Sequence, residues 1–258
     1  MLTSLLILSV IAVLIATPIL LHFRRRQKRT AAMRRAADEL GFSFSVTEPV
    51  EPLTVFASSY LFSQGSGKTL ANIMRGTSED LEVQVFDFSY VRGGEESREY
   101  TLQTVICFRS PELDLPAFCL RPKSVFHRIA KLFGYQDIVV DGRSAFSKTY
   151  LLRGQDEAAV RKLFNEDVLA YYERSNSLFT EGKGKELMFY RWGKHVDPEQ
   201  VRFFVQEGFE VLSLFWQASS GRRQELPDDF RQRFGVRVAG NMGATADRHS
   251  TGIRQAGQ

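Results

Sequence analysis

Three kinds of hydrophobic pattern follow one another along this chain. The first is a continuous apolar run. No Asp, Glu, Lys or Arg occurs between Met1 and Phe23, and Leu5 to Ala16 is apolar except for Ser9. About 22 residues of helix at roughly 1.5 Å each reach about 33 Å, enough for a hydrocarbon core of about 30 Å. A backbone in lipid must pair its polar groups within the segment, so the expectation is a transmembrane helix over residues 1–23. Pro18 near its end is tolerable there. A cleaved signal peptide would carry positive charge before the apolar run; here Arg24-Arg25-Arg26 follows it instead. By the positive-inside rule the N-terminus is expected outside and the remainder cytoplasmic. Ala31, Ala32, Ala36, Ala37 and Leu40, stopped by Gly41, extend the helix as a basic juxtamembrane segment over 24–41.

The second pattern is strand alternation. Phe42 to Val46 alternates, and residues 47–59, with Pro49 and Pro52, read as irregular. In Leu81 to Val91, Phe86, Phe88 and Tyr90 point to one side, and Val83, Val85 and Asp87 to the other. Tyr100, Leu102, Thr104, Ile106 and Phe108 repeat the period across the polar Gly93–Ser97 stretch, which predicts a β-hairpin. A further strand is predicted over Ala117–Arg121. A hairpin centred on Leu113 would set Cys107 opposite Cys119. Asp137–Val140 and Lys148–Leu152 flank an Asp141-Gly142 turn. Leu178–Thr180 and Glu186–Arg191 flank Gly182-Lys183-Gly184 as a second hairpin.

Helical spacing is the third. Ser124 can cap a helix ending at Gly134, Asp156 one that runs through Phe164, and Glu166–Arg174 forms another. Asp197-Pro198-Glu199 opens a long amphipathic helix whose apolar face carries Val201, Phe204, Val205, Gly208, Val211, Leu212, Phe215 and Trp216. After Ser219 the pattern fades, so 219–258 is expected to be a mobile tail. Hairpin-linked strands with helices later predict an α+β domain over 42–218, an antiparallel sheet with packed helices, behind the transmembrane segment. The order of strands then helix is also that of a pleckstrin-homology-like arrangement, an analogy that carries no function.

Charge sharpens this picture. The formal net charge is +4, from 34 basic and 30 acidic residues. Arg24, Arg25, Arg26, Lys28, Arg29, Arg34 and Arg35 precede the first acid, Asp38; without those seven, 27 basic residues face 30 acidic ones, a net of −3. The domain therefore lacks the basic footprint of a nucleic-acid binder. Arg24, Arg25, Arg26, Lys28 and Arg29 are instead the candidate contacts to a membrane surface and its anionic lipid headgroups. The 21 phenylalanines imply an aromatic core. Two cysteines and four scattered histidines lack metal-ligand spacing, and buried thiols pack as small hydrophobes. No metal and no cofactor is expected.

Catalytic motifs fail on inspection. Gly65-Ser66-Gly67-Lys68-Thr69 looks like the end of a phosphate-binding loop, but the leading glycine would fall at Phe62. It reads as a glycine-rich connection. No Gly-x-Ser-x-Gly pentapeptide occurs. Asp87, set among aromatics, is the most interesting single acid, and the simpler accounts of it are a hydrogen-bonded strand residue or a solvent-facing one.

Phe62-Ser63-Gln64-Gly65-Ser66-Gly67, Asn72, Gly76, Val85 to Tyr90, Gln103-Thr104-Val105, Leu115-Pro116-Ala117-Phe118 and Tyr150 to Gly154 together resemble an uncharacterised family of bacterial single-pass membrane-anchored proteins. The resemblance spans roughly residues 40–215. It implies a bacterial source, an anchor-plus-domain layout and the cell inner membrane as location, and it brings no catalytic residues. The function expected is a protein- or lipid-binding module at the inner membrane surface, with an unidentified protein among its partners. The alternative is a membrane-tethered, hydrolase-like enzyme with a dispersed site. A subunit role in a larger membrane complex is a third reading, for which the apolar run offers no Gly-x-x-x-Gly signal.

Overall fold

The computed structural model describes residues 2–49, 59–78, 80–94, 97–124, 135–140, 142–175, 177–221, 228, 230 and 232, without the side chains of 2–10. The helix expected over 124–134 and most of the segment beyond 219 lie outside the described residues.

A single helix, α1 (Leu2–Leu40), runs through Pro18 and through the change from apolar to basic at Arg24. Among the described residues nine strands follow: β1 (Ser43–Glu48), β2 (Ser66–Ser78), β3 (Leu81–Arg92), β4 (Glu99–Arg109), β5 (Leu115–Pro122), β6 (Gln136–Ile138), β7 (Tyr150–Gly154), β8 (Phe179–Gly184) and β9 (Glu186–Tyr190). They form one antiparallel sheet in the order β1-β2-β3-β4-β9-β8-β5-β7-β6. The remaining helices are α2 (Tyr60–Ser63), α3 (Ser144–Thr149), α4 (Glu157–Leu163), α5 (Glu166–Arg174) and α6 (Val201–Ser220), the last preceded by a 3-10 turn, Pro198–Gln200. The α+β class and the long C-terminal helix are as the patterns predict. Helices α3 to α5, interposed among the later strands, depart from a simple strands-then-helix order.

Among the described residues no helix is long and apolar enough to cross a membrane. The uncharged run with described side chains, residues 11–23, spans about 20 Å as a helix, short of a hydrocarbon core of about 30 Å. Any longer window on its C-terminal side takes in Arg24, Arg25 and Arg26. This overturns the expected transmembrane anchor over 1–23, and with it the single-pass topology and the placement in the cell inner membrane with an outside N-terminus and a cytoplasmic domain.

Both faces of the sheet are buried. One face carries Val83, Val85, Ile106, Phe108, Leu120, Leu152, Leu187 and Phe189, packed against α1, α4, α5 and α6. Here the phenylalanines concentrate: Phe118 meets Phe164 edge-on at 5.2 Å and stacks with Phe215 at 5.1 Å. Gly208 lets α6 approach closely, because a Cβ there would lie 2.9 Å from Ile106 Cδ1. The opposite face, Phe86, Phe88, Tyr90, Val105, Cys107, Cys119, Phe179, Met188 and Tyr190, is covered by Tyr60, Leu61 and Phe62 of α2.

Three elements differ from expectation. The Gly65–Thr69 stretch leads into a 13-residue strand. A register shift between Ala71 and Met74 breaks its alternation, with Asn72 at φ 53°, so no period of two is visible there. Residues 144–149 are helical before β7 begins. Finally, β4 and β5 do not pair: the β8–β9 hairpin lies between them. Cys107 pairs in register with Met188 and Cys119 with Glu181. The two thiols therefore have two strands between them on one face, both free and buried, rather than lying opposite each other.

Candidate functional site

α1 meets the domain through one stripe. Met33, Ala37 and Leu40, spaced for one helix face, are buried against the sheet. One turn further toward the N-terminus, the same face brings Arg29 over Asp87. The guanidinium donates Nε to Asp87 Oδ2 at 2.8 Å and Nη2 to Oδ1 at 2.7 Å, a bidentate fork. Its Nη1 donates to the Val196 carbonyl at 2.9 Å. Asn72 Nδ2 donates to Asp87 Oδ2 at 2.7 Å, and Thr104 Oγ1 donates to Oδ1 at 2.8 Å. The β2 bulge turns Asn72 onto the carboxylate, a conformation asparagine adopts more readily than most residues. His195 Nε2 stands 4.0 Å from Oδ1. Burial pushes the Asp87 carboxyl up, but Arg29, His195 and Asn72 outweigh it and hold it below the usual carboxylate range. Burial, helped by Arg29, lowers His195 against the opposing pull of Asp87. Asp87 is thus fully engaged as the polar clamp that seats α1.

The five basic residues singled out on sequence therefore separate. Arg24, Arg25, Arg26 and Lys28 are exposed, whereas Arg29 is half-buried in the clamp. Before them, Ile11, Val13, Leu14, Ile15, Ile19, Leu20, Leu21 and Phe23 are all exposed, each between 46% and 68%. At about 100° per residue these positions circle the helix, and an apolar surface all round a helix calls for a covering partner.

A second buried acid lies on the other side of the sheet. Glu181 accepts from the backbone N–H of Tyr60 at 2.5 Å and of Leu61 at 3.0 Å, and from the Tyr190 hydroxyl at 2.9 Å. Burial pushes its carboxyl up to about 7, against these three donors and the nearby Arg121. Such a group can hold or release a proton near neutrality, yet it sits sealed beneath α2, where it fixes the first turn of that helix. Sequence reading passed over it. The available signal was alternation: Glu181 shares the face of Phe179. Among the described residues no group of three or more His, Cys, Asp or Glu could hold a metal ion. Burial also pushes both thiols well above their ordinary range.

Fold and surface thus define an α+β domain with a nine-stranded antiparallel sheet, bearing a clamped helix whose far end is apolar and basic. No family model matches the chain, and no curated protein matches it. A solved structure does. The crystal structure of the mycobacterial trehalose monomycolate transport factor A, TtfA, superposes with a TM-score of 0.55 at 13% identity, covering 77% of this chain and 98% of that one. At that identity the likeness shows the fold alone.

Proposed function

We propose that this protein is a non-enzymatic binding module for a lipid-like amphiphile. The apolar part of the ligand lies against residues 11–23 of α1, and an anionic headgroup meets Arg24, Arg25, Arg26 and Lys28. One observation carries this reading: an exposed apolar surface joins an exposed basic one on a single helix, and the Arg29–Asp87 clamp holds that helix to a folded domain. The buried carboxylates Asp87, Glu181 and Glu186 support a binding role over a catalytic one, because all three are engaged by structural donors. The structural neighbour is by its title a transport factor for trehalose monomycolate, which favours a lipid among the possible ligands.

Calorimetric titration of the full chain with lysophosphatidylglycerol and with lysophosphatidylcholine, both as monomers, tests it. Each cation near an anionic headgroup contributes about 1 kcal/mol, so the anionic lipid should bind at least about tenfold tighter. Changing Arg24, Arg25, Arg26 and Lys28 together to Gln should erase that preference while leaving the domain folded. Absence of binding by either lipid, or a preference that survives the four changes, would reject the reading.

A further inference from the structure

A second surface, separate from the exposed half of α1, has the opposite charge. Where the 3-10 turn Pro198–Gln200 enters α6, an open groove of about 410 Å³ is lined by Val196, Phe203, Phe204, Asp197, Arg191 and Glu207. Its floor is apolar, with Phe204 buried, and its rim presents the Phe203 ring at 62% exposure. Asp197 occupies the cap position before the 3-10 turn but makes no capping bond, and its exposed carboxylate has no partner among the described residues. Arg191 Nη2 donates to Glu207 Oε1 at 2.5 Å, leaving the other oxygen of that carboxylate without a partner there. From Asp197 to Glu210 the chain carries four carboxylates against one arginine, Arg202. The Glu210 carboxyl, one turn beyond Glu207, is raised by burial and by Glu207 against the pull of Arg174.

We propose that this groove docks a basic amphipathic peptide segment of a protein partner, seating one apolar side chain against Phe203 and Phe204 and setting a Lys or Arg beside Asp197. An exposed aromatic anchor beside an unpaired carboxylate, with the cation of Arg191 already taken up by Glu207, is an arrangement that such a segment complements. The cation gains from the Phe203 ring as well as from the carboxylate. The groove wall is tied to α1, since Arg29 donates to the Val196 carbonyl at 2.9 Å. A partner seated here lies next to the helix proposed to carry the amphiphile, so the module brings an amphiphile and a protein together.

The test uses the full chain and a fluorescein-labelled synthetic leucine–lysine amphipathic peptide, followed by anisotropy, with a leucine–glutamate peptide as its counterpart. The leucine–lysine peptide should bind in the groove, whereas the leucine–glutamate peptide, suited instead to the basic end of α1, should show no dependence on Phe203 or Asp197. Phe203→Ala should weaken binding about tenfold, the scale of a lost aromatic anchor. Asp197→Asn should weaken it about threefold and flatten its salt dependence. Glu112→Gln, an exposed acid on the β4–β5 loop, should change nothing. Phe203 and Asp197 are exposed, so an unchanged circular dichroism spectrum will confirm that the variants fold. Undiminished binding of the leucine–lysine peptide to Phe203→Ala, or an equal loss of leucine–glutamate binding in that variant, overturns the proposal. So does a dimer of the unmodified protein that Phe203→Ala dissolves, because the groove would then hold the basic segment of a second copy.

Discussion

Asp87 is held by side chains from three different elements: Arg29 on α1, Asn72 on the β2 bulge and Thr104 on β4. Removing one member of a buried, hydrogen-bonded pair leaves the other uncompensated, which costs about 3 kcal/mol or more. Asp87→Ala should therefore destabilise the protein by that amount in urea and open Arg34 and Arg35 to trypsin as α1 lifts off. The folded carboxyl sits below its ordinary value, so its contribution is present above about pH 4 and is lost as the pH falls through the depressed value. Glu181 behaves in the opposite sense. Its folded value is raised from 4.5 to about 7, so its carboxyl contributes most below pH 4.5, and stability declines as the pH rises from there past 7. At about 1.36 kcal/mol per unit, this group alone should cost about 3 kcal/mol by pH 8. Urea midpoints measured at pH 4.5 and 8 should show that decline in the natural protein and a smaller one in Glu181→Gln, where only the raised carboxyls of Glu186 and Glu210 remain. That variant should also be less stable at pH 4.5, because its amide presents a donor where Tyr60 or Leu61 already donates.

Helices in this fold are held by caps and by close contacts more than by length. Asp156 Oδ1 accepts from Ala159 N at 3.0 Å and Asn165 Oδ1 from Val168 N at 3.1 Å, which closes the first turns of α4 and α5. Asn165→Ala should cost about 1 kcal/mol, read as a shift of the thermal midpoint. α6 depends on Gly208. A Cβ there would meet Ile106 at 2.9 Å and Phe108 at 3.1 Å, both on β4 in the middle of the sheet. Gly208→Val should push the helix off the sheet at a cost of about 1–3 kcal/mol in urea unfolding. α1 is different in kind. Its last two turns pack as a core helix and its described N-terminal residues pack on nothing in the domain, so one helix serves both as scaffold and as exposed surface.

Among the described residues two regions differ in charge. Four exposed cations stand together on α1, and Asp197, Glu199, Glu207 and Glu210, with Arg202 among them, lie along the 3-10 turn and the first half of α6. The two regions lie on either side of the Arg29–Val196 link, so the separation is fixed by the fold. Binding at each should weaken with salt, because exposed charges are screened over about 8 Å at physiological ionic strength. The sheet that supports them is closed over on both faces, and its hairpin β8–β9 is inserted between β4 and β5.

Periodicity alone determined much of this protein. The β3–β4 hairpin, the capped helices α4 and α5, the apolar face of α6 and the α+β class follow from residues whose spacing matches a period of two or 3.6. Charge order alone placed the basic cluster ahead of a slightly acidic domain. Tertiary structure decided the rest, because those features depend on residues far apart in the chain. The bulge at Asn72 hid β2 by breaking its alternation, and it exists to reach Asp87. The insertion of β8–β9 separated two cysteines that local reading placed face to face. Arg29 looks like its neighbours in sequence and differs from them only because helix phase turns it toward a buried carboxylate. Glu181 falls between the predicted strand Leu178–Thr180 and its turn, and only α2, closing over it, removes the water that keeps a carboxyl acidic.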